Sequence, residues 1–242
     1  MNIYEIGSMA EKLASNAYPG RGIVLGITPD GKKSVAAYFI MGRSVNSRNR
    51  VFIEEADGIR TEAHDPSLMQ DPSLIIYHPV RELARSLIVT NGDQTDTVRD
   101  GLLSGLSFSA SLESRTFEPD APNLTPRISG MMTLADGDFS YQMSILKSAD
   151  PVGSACNRFT YSYAALAGVG HFLHTYMGDG NPLPTFTGEP ERVAILDDID
   201  AFTEEIWSSL NAENKISLAV RYYSLEDGGK TVSSRLINKY SK

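Results

Sequence analysis

Short apolar runs separated by residues typical of turns are the main pattern along this chain of 242 residues. Residues 23–27 and 35–41 are two such runs, and Pro29, Asp30 and Gly31 lie between them. Proline fixes φ and glycine tolerates positive φ, so these residues are typical of a tight turn. The pattern predicts two neighbouring antiparallel strands.

Similar apolar runs recur through the rest of the chain, and turn residues separate most of them. They predict strands at residues 50–54, 59–63, 74–77, 86–89, 128–134, 139–146, 158–165, 169–176, 216–223 and 231–237, with a turn at residues 136–137. Apolar residues at helical spacing predict helices at residues 3–16, 96–109 and 197–210. Thr95 or Asp96 is the expected N-cap of the second helix.

This order of elements favours an α+β fold with largely antiparallel sheets and helices packed on them. The sequence lacks strand–helix–strand alternation, a GxGxxG turn and a Walker loop, which argues against a Rossmann-type fold. No repeat, low-complexity tract or linker divides the sequence. We therefore expect residues 1–242 to form one domain.

Composition and charge exclude several classes of protein. Hydrophobic residues make up 41% of the chain and charged residues 21%, as in ordinary globular proteins. The net charge is −8, whereas a general nucleic-acid binder needs a broad basic face. No apolar run approaches the roughly 18 residues of a membrane span, and the first residues lack the apolar core of a signal peptide. We expect neither nucleic-acid nor membrane binding.

Cysteine and histidine usage gives no sign of a disulfide or a metal site. The single cysteine, Cys156, permits no intramolecular disulfide and fits the reducing cytoplasm, where we expect the protein to reside. The four histidines form no HExxH motif, and one cysteine cannot form a CxxC pair. We expect no bound metal.

A basic cluster follows the second predicted strand. Arg43, Arg48 and Arg50 lie within eight residues, together with Ser44 and Asn46. The guanidinium group is a planar fork that matches phosphate and carboxylate oxygens. On an acidic chain this cluster predicts an anion site, for a phosphate monoester. The alternative is a solvated basic edge.

Two further polar segments are candidates for the same site. The turn at residues 90–97 leaves a strand through Asn91 and Gly92 and enters a helix, where free backbone N–H groups can bind a polar ligand. Its alternative is a well-capped helix start. The proline-rich loop at residues 117–126 ends at Arg127, which alone would more often be part of a surface ion pair.

Four segments together resemble one known family. They are YPGRGIVLG with AAYFIMGRSVNSRNR, NGDQTDTV, PNLTPRISG and the later GVGHFLHTYMGDGNPLPTFTGEP. Each resembles a segment of the archaeal-type inosine monophosphate (IMP) cyclohydrolase family and its bacterial relatives. The family's NTPRI-type motif is interrupted here by Leu124. The resemblance spans roughly the whole chain.

This resemblance implies a four-layer αββα fold like that of the N-terminal-nucleophile hydrolases. The chain begins Met1-Asn2, and no Thr, Ser or Cys follows an obvious processing point. We therefore expect the fold without its nucleophile chemistry. The resemblance also suggests a homo-oligomer.

The reaction that the resemblance implies is the last step of purine synthesis. The ring of 5-formamidoimidazole-4-carboxamide ribotide (FAICAR) closes to IMP and water is released, with no cofactor needed. Such a site requires a phosphate anchor, a platform that holds the base for attack, and an acid/base relay.

The candidate residues divide among these tasks. The catalytic candidates are Tyr38, to polarise the formyl oxygen, Asp93 or Asp96, to relay a proton, and Asn91, to read the base or ribose. The substrate-binding candidates are arginines and residues with hydroxyl or amide side chains. They are Arg21, Arg43, Ser44, Asn46, Arg48, Arg50, Gln94, Thr95, Asn123, Thr125 and Arg127.

Alternatives remain for residues and for the whole protein. Tyr38 is also typical of a core tyrosine with a bonded hydroxyl, and Asp96 of a helix cap. Instead of a cyclohydrolase, the protein would be a purine-nucleotide-binding or sensing protein that lost turnover, or an amidohydrolase acting on a different amide.

Overall fold

The described part of the chain consists mainly of strands, with few helices. The computed structural model describes residues 4–69, 72, 75–135 and 138–240. Within these residues the helices are α1 (Met9–Ala14), α2 (Val45–Arg48), α3 (Gln94–Leu103), α4 (Phe108–Ser111) and α5 (Ile199–Ser209), with a 3₁₀ turn at Pro66–Leu68. The strands are β1 (Arg21–Ile27), β2 (Lys33–Met41), β3 (Val51–Glu55), β4 (Gly58–Glu62), β5 (Val80–Leu83), β6 (Ser86–Thr90), β7 (Arg127–Ala135), β8 (Asp138–Ser148), β9 (Cys156–Ala164), β10 (Val169–His174), β11 (Glu191–Ala194), β12 (Lys215–Ser224) and β13 (Val232–Asn238).

The strands form two antiparallel sheets. The first has six strands in the order β11-β10-β1-β2-β12-β13, and the second has seven in the order β3-β4-β5-β6-β7-β8-β9. In the second sheet each strand pairs with the next in sequence, as expected for a run of hairpins. The first sheet instead joins strands from both ends of the chain. The prediction of an α+β fold with antiparallel sheets is confirmed.

The two sheets pack face to face and bury a shared core. Side chains alternate between the faces of a strand, so Ile23 and Leu25 of β1 meet Ile128 of β7 between the sheets. The opposite face of β1, including Val24, packs on α1 and α5. The outer face of the second sheet packs on α3 and α4. The layers therefore run helix, sheet, sheet, helix.

Two of the three predicted helices differ in extent from those observed. Of the segment 3–16, residue 3 lies outside the described residues, and α1 begins only after Ser8, whose hydroxyl accepts from the backbone N–H of Glu11. The segment 96–109 is two helices, because the chain turns at Gly105 with a φ of +82°. The helix predicted at residues 197–210 is confirmed by α5.

The strand predicted at residues 74–77 is wrong for residues 75–77, and residue 74 lies outside the described residues. This segment is tied to β4 by the Thr61 hydroxyl, which bonds the carbonyls of Ile75 at 2.6 Å and Tyr77 at 3.0 Å. Strands β5 and β11 escaped prediction because each has only four residues and little apolar alternation. The turn predicted at residues 136–137 lies outside the described residues. No helix in the described part of the chain has the length and apolar character needed to span a membrane.

Candidate active site

A cavity of about 290 Å³ lies at the end of the two sheets where β1 begins and β2 ends. Its volume is close to the lower end of the range for ligand pockets. The walls come from these strand ends, from α2, and from the loops before β7 and after β10. The lining residues are Tyr18, Arg21, Met41, Arg43, Ser44, Asn46, Ser47, Arg50, Ile75, Glu118, Asp120, Asn123, Thr125, Tyr176 and Leu183.

Arg50 is a buried cation with an unused donor in this cavity. Its side chain is 1% exposed. Nε donates to the Ser47 carbonyl at 2.9 Å and Nη2 approaches the Met41 carbonyl at 3.5 Å, but among the described residues Nη1 has no hydrogen-bond partner. Burial lowers the pKa of Arg50. Because a buried charge without a counterion is unfavourable, an anion in the cavity would stabilise this side chain.

Arg21 and Glu118 form a buried ion pair beside Arg50. Their charged groups are 3.7 Å apart, and the side chains are 13% and 3% exposed. Burial raises the pKa of Glu118, although the guanidinium groups of Arg21, Arg127 and Arg50 oppose the shift. Burial acts to lower the pKa of Arg21, but Glu118 and other neighbours hold it well above its ordinary value. Arg21 Nε also lacks a hydrogen-bond partner within the described residues.

Arg43 lies at the mouth of the cavity. Its guanidinium stacks over the Tyr18 ring, 5.1 Å from the centroid. It also forms an ion pair with Asp179 and donates to the Gly180 carbonyl at 2.9 Å. This side chain is 36% exposed, so its pair with Asp179 is open to exchange with a ligand anion.

The loops before β7 and after β10 bring hydrogen-bond acceptors to the cavity lining. Asp120 accepts from the backbone N–H of Thr125 at 2.7 Å and, through its other oxygen, from the Thr125 hydroxyl. That hydroxyl also bonds the phenol of Tyr176. Asn123 accepts from the backbone N–H of Leu183 at 3.0 Å, which holds the loop after β10 against the cavity.

The polar turn before α3 lies outside the cavity lining. Asn91 is fully buried, and its amide donates to the Pro126 carbonyl while its oxygen accepts from the Ile128 N–H, both at 2.9 Å. Gln94 donates to Asn91 at 2.9 Å and accepts from Arg127 at 2.8 Å. The hydroxyl of Thr95 bonds the Gly92 carbonyl at 3.0 Å. These amides and hydroxyls join β6 to β7.

Arg127, the first residue of β7, forms an ion pair of 2.8 Å with Asp93 of this turn. Asp93, not Thr95 or Asp96, is the N-cap residue of α3, and its side chain pairs with Arg115 and Arg127 instead of capping the helix. Its pKa is lowered because these guanidiniums outweigh the opposing effect of burial. Arg127 does not line the cavity, but its charge acts on Glu118.

Three further candidates also lie away from the cavity lining. Asp96 is near Arg99 at 3.1 Å and Arg81 at 3.4 Å on the outer side of the second sheet. Arg48 donates to the Gly42 carbonyl at 3.0 Å and to Asn214 at 2.9 Å. The hydroxyl of Tyr38 lies in the core, 2.8 Å from that of Tyr77.

The cavity also contains residues that sequence analysis missed, namely Tyr18, Ser47, Glu118, Asp120 and Tyr176. Glu118 and Asp120 precede the PNLTPRISG segment, so their position next to a candidate motif was an available signal. Tyr176 lies within the later segment GVGHFLHTYMGDGNPLPTFTGEP, but its place at the end of an apolar strand is typical of a core residue. Within the described residues, no three His, Cys, Asp or Glu side chains group in a way that would hold a metal ion.

Comparison with known proteins identifies the family. Residues 18–228 match the family model described as IMP cyclohydrolase-like protein. The chain is 35% identical over 125 residues to an IMP cyclohydrolase of Methanopyrus kandleri, a region covering 50% of this chain and 60% of that protein. It is 31% identical over 115 residues to an IMP cyclohydrolase of Methanococcus aeolicus, covering 46% and 56%. These matches span less than two thirds of either relative, whereas the family match covers most of this chain. The chain belongs to the IMP cyclohydrolase-like protein family.

Proposed function

We propose that this protein is an IMP cyclohydrolase that closes the imidazole ribotide FAICAR to IMP. The observation that carries the proposal is the unpartnered Nη1 of the buried Arg50, located in a cavity next to the Arg21–Glu118 ion pair. An anion anchor beside an acid/base group is the combination that this ring closure requires. Family membership and relatives named IMP cyclohydrolase support the same reaction.

The phosphate of the ribotide binds the guanidinium of Arg50. Since Nη1 of Arg50 is a buried donor with no partner in the part of the chain that the structure describes, phosphate would supply both an acceptor and a negative charge. Arg43 at the mouth makes a second contact when phosphate replaces Asp179. Ser44 and Asn46, which line the cavity beside these arginines, supply neutral hydrogen-bonding groups.

Glu118 and Arg21 perform the chemistry. The carboxamide nitrogen attacks the formyl carbon while Glu118 takes a proton from that nitrogen. Arg21 stabilises the negative charge that develops on the formyl oxygen. Glu118 then returns its proton to this oxygen, which gives a cyclic carbinolamine. This intermediate loses its hydroxyl, together with the proton of the former formamide nitrogen, as one molecule of water.

Burial suits Glu118 to both proton transfers. A raised pKa makes its carboxylate a stronger base than that of an exposed glutamate, and its carboxylic acid persists to a higher pH. The candidates Tyr38, Asn91, Asp93 and Asp96 are not used in this scheme, because none of them lines the cavity. Arg127 acts from behind the cavity wall, through its charge on Glu118.

The proposal also covers the fold, the oligomeric state and the cellular location of the enzyme. On this proposal the protein is one domain, and the two sheets with their outer helices correspond to the four-layer fold of the N-terminal-nucleophile hydrolases. The protein acts as a homo-oligomer in the cytoplasm. The single Cys156 and the exposed aromatic residue Phe159 on β9 support this setting.

The test is turnover of chemically formylated ribotide, followed by ultraviolet absorbance without added metal or cofactor, with parallel titration of IMP. Turnover that the Glu118→Gln variant lacks supports the proposal. Tight IMP binding without turnover would instead identify a purine-nucleotide sensor. If the protein neither turns over the ribotide nor binds IMP, both the cyclohydrolase and the sensor are overturned. That result would direct attention to other amides as substrates.

A further inference from the structure

The hydrogen bonds of Asp120, Thr125 and Tyr176 fix which groups donate into the cavity. A carboxylate only accepts, so the single hydroxyl proton of Thr125 is donated to Asp120. The bond between Thr125 and Tyr176 then requires the phenol proton of Tyr176. With its proton directed at Thr125, the oxygen of Tyr176 can only accept from a ligand.

The surroundings of Tyr176 maintain this direction. Burial raises the pKa of Tyr176 to about 12, so its phenol keeps its proton at neutral pH. Its ring stacks on Tyr18 with centroids 6.0 Å apart, which fixes the position of the hydroxyl. Asp120 is held as firmly, because each of its oxygens accepts one bond from Thr125.

The cavity lining therefore contains two chemically different groups of side chains, which we call its donor wall and its acceptor wall. Arg21, Arg43 and Arg50 carry donors and positive charge, whereas Asp120 and Tyr176 present acceptors. The two acceptors bond the same Thr125 hydroxyl, so their oxygens lie within two hydrogen-bond lengths of each other. A ligand that fits both walls needs an anion for the first and two neighbouring hydrogen-bond donors for the second.

We propose that Asp120 and Tyr176 bind the 2′- and 3′-hydroxyls of the ribose, with Thr125 as a positioning residue; this inference rests on the function proposed above. The cis-diol is the part of a nucleoside monophosphate that offers two O–H donors on adjacent carbons. An edge of the hypoxanthine ring in IMP offers no such pair. The acceptor wall makes the protein specific for ribonucleotides over deoxyribonucleotides.

The experiment compares the dissociation constants of IMP with those of its 2′-deoxy and 3′-deoxy forms by calorimetry. The wild-type protein is expected to bind IMP at least about tenfold more tightly than each deoxy form, the scale of a hydrogen bond to a charged group. Asp120→Asn replaces an acceptor by an amide N–H, which can reverse the direction of the hydrogen bonds through Thr125 to Tyr176. The substitution should reduce this ratio to below about threefold.

Two further variants keep the inference testable if Asp120→Asn fails to fold. Tyr176→Phe keeps the ring and its stacking but removes the acceptor, so the ratio should also fall. Thr125→Ser retains the hydroxyl and should retain the ratio, whereas Thr125→Val should lose it. Asp150→Asn is the matched control, because Asp150 accepts from the backbone and hydroxyl of Ser154 in the same way, outside the cavity lining.

The outcomes separate this inference from the proposed reaction. Equal affinity of the wild-type protein for ribo and deoxy forms would overturn the role of the acceptor wall and leave cyclisation intact. A ribose preference without turnover would support the wall and contradict the cyclohydrolase. Unchanged ratios in both Asp120→Asn and Tyr176→Phe would refute the assignment to these residues.

Discussion

At the scale of single residues, the buried guanidiniums differ in their partners. Arg21 pairs with Glu118, Arg127 with Asp93 and Arg221 with Glu82. Arg50 forms no ion pair with any carboxylate among the described residues, and one of its nitrogens has no hydrogen bond. Burying such a charge lowers the stability of the free protein, because the lost hydration is not replaced by a counterion. The residue is explained if a ligand supplies the counterion.

Replacing Arg50 by Met removes the charge but keeps most of the side-chain volume. We expect IMP to bind about 30-fold more weakly, since a charge-assisted hydrogen bond contributes about 2 kcal/mol. The melting temperature of the free protein should not fall, because the unfavourable burial of the charge is removed. Calorimetry and thermal melts test both effects. Arg60→Met, at a guanidinium paired with Glu55 outside the cavity lining, should leave IMP affinity unchanged; an equal loss there would contradict a specific anchor.

Replacing Glu118 by Gln should abolish proton transfer and leave binding largely intact. We expect kcat to fall by a factor of about 10²–10⁴, the usual contribution of a general acid/base, while KM changes by less than about threefold. Glu113→Gln, an exposed site, is the control for the charge change. A variant with kcat near the wild-type value would remove Glu118 from the mechanism.

The pH profile gives an independent check on Glu118. In the proposed mechanism the carboxylate accepts the first proton, so kcat/KM should fall as pH drops through the pKa of Glu118. Burial places this pKa above the ordinary value of 4.5, so the fall begins at a higher pH than for an exposed glutamate. Rates measured across the acid range should show this limb in the wild-type enzyme. A flat acid profile would argue for another base.

At the scale of elements, the cavity depends on how strand ends and loops are fixed. The turn between β6 and α3 is held by Asn91, whose side chain spans to the Pro126 carbonyl and the Ile128 N–H. This fastens the loop that carries Glu118, Asp120 and Thr125 where it enters β7. The polar turn therefore supports the site from behind, which explains why its residues lack contact with the cavity.

Asn91→Asp should destabilise the fold without altering the chemistry. The substitution replaces the amide donor by an oxygen facing the Pro126 carbonyl and buries a charge, so we expect a loss of about 3 kcal/mol in the free energy of unfolding. Urea denaturation measures this loss, and kcat per folded molecule should stay near the wild-type value. Asp96→Asn, on the outer surface of α3, should change neither quantity. A large loss of kcat in either variant would return this turn to the catalytic site.

At the scale of the whole molecule, the two sheets are joined by a polar contact as well as by their apolar core. Arg221 of β12 donates to Glu82 of β5 at 2.7 Å and to the Gly58 carbonyl at 3.1 Å, and Tyr223 donates to Glu82 at 2.9 Å. Arg221 is opposite Ala36 in the register of β12 and β2, whereas the cavity lies where β2 ends at Met41. Stability and binding are therefore separated along the strands.

Glu82→Gln should lower stability and leave nucleotide affinity unchanged. It leaves Arg221, which is 9% exposed, without its closest carboxylate, but Glu82 is 36% exposed and solvent screens part of the charge. We expect a loss of about 1–2 kcal/mol in the free energy of unfolding. Glu226→Gln, which breaks an exposed pair with Lys32, should cause no measurable change. Weaker IMP binding by Glu82→Gln would show that the two ends of the sandwich are coupled.

The sequence by itself determined most of the strands, the antiparallel class and the family. Hairpin turns and apolar alternation are local properties, so β1, β2, β7 and β8 were predictable from neighbouring residues. The sequence also predicted Arg43 and Arg50 as anion ligands, and both line the cavity. That these residues bind phosphate stays a prediction.

Only the tertiary structure decided which polar residues share the cavity. The local sequence does not distinguish Arg48 from Arg50 as an anion ligand. In the structure the short helix α2 directs Arg48 to Gly42 and Asn214, whereas Arg50 is buried in the cavity wall. Glu118 becomes an acid/base candidate only through burial beside Arg21, a residue from a distant part of the chain. Burial and the pairing of charges arise from contacts between distant segments, and the local pattern of residues does not contain them.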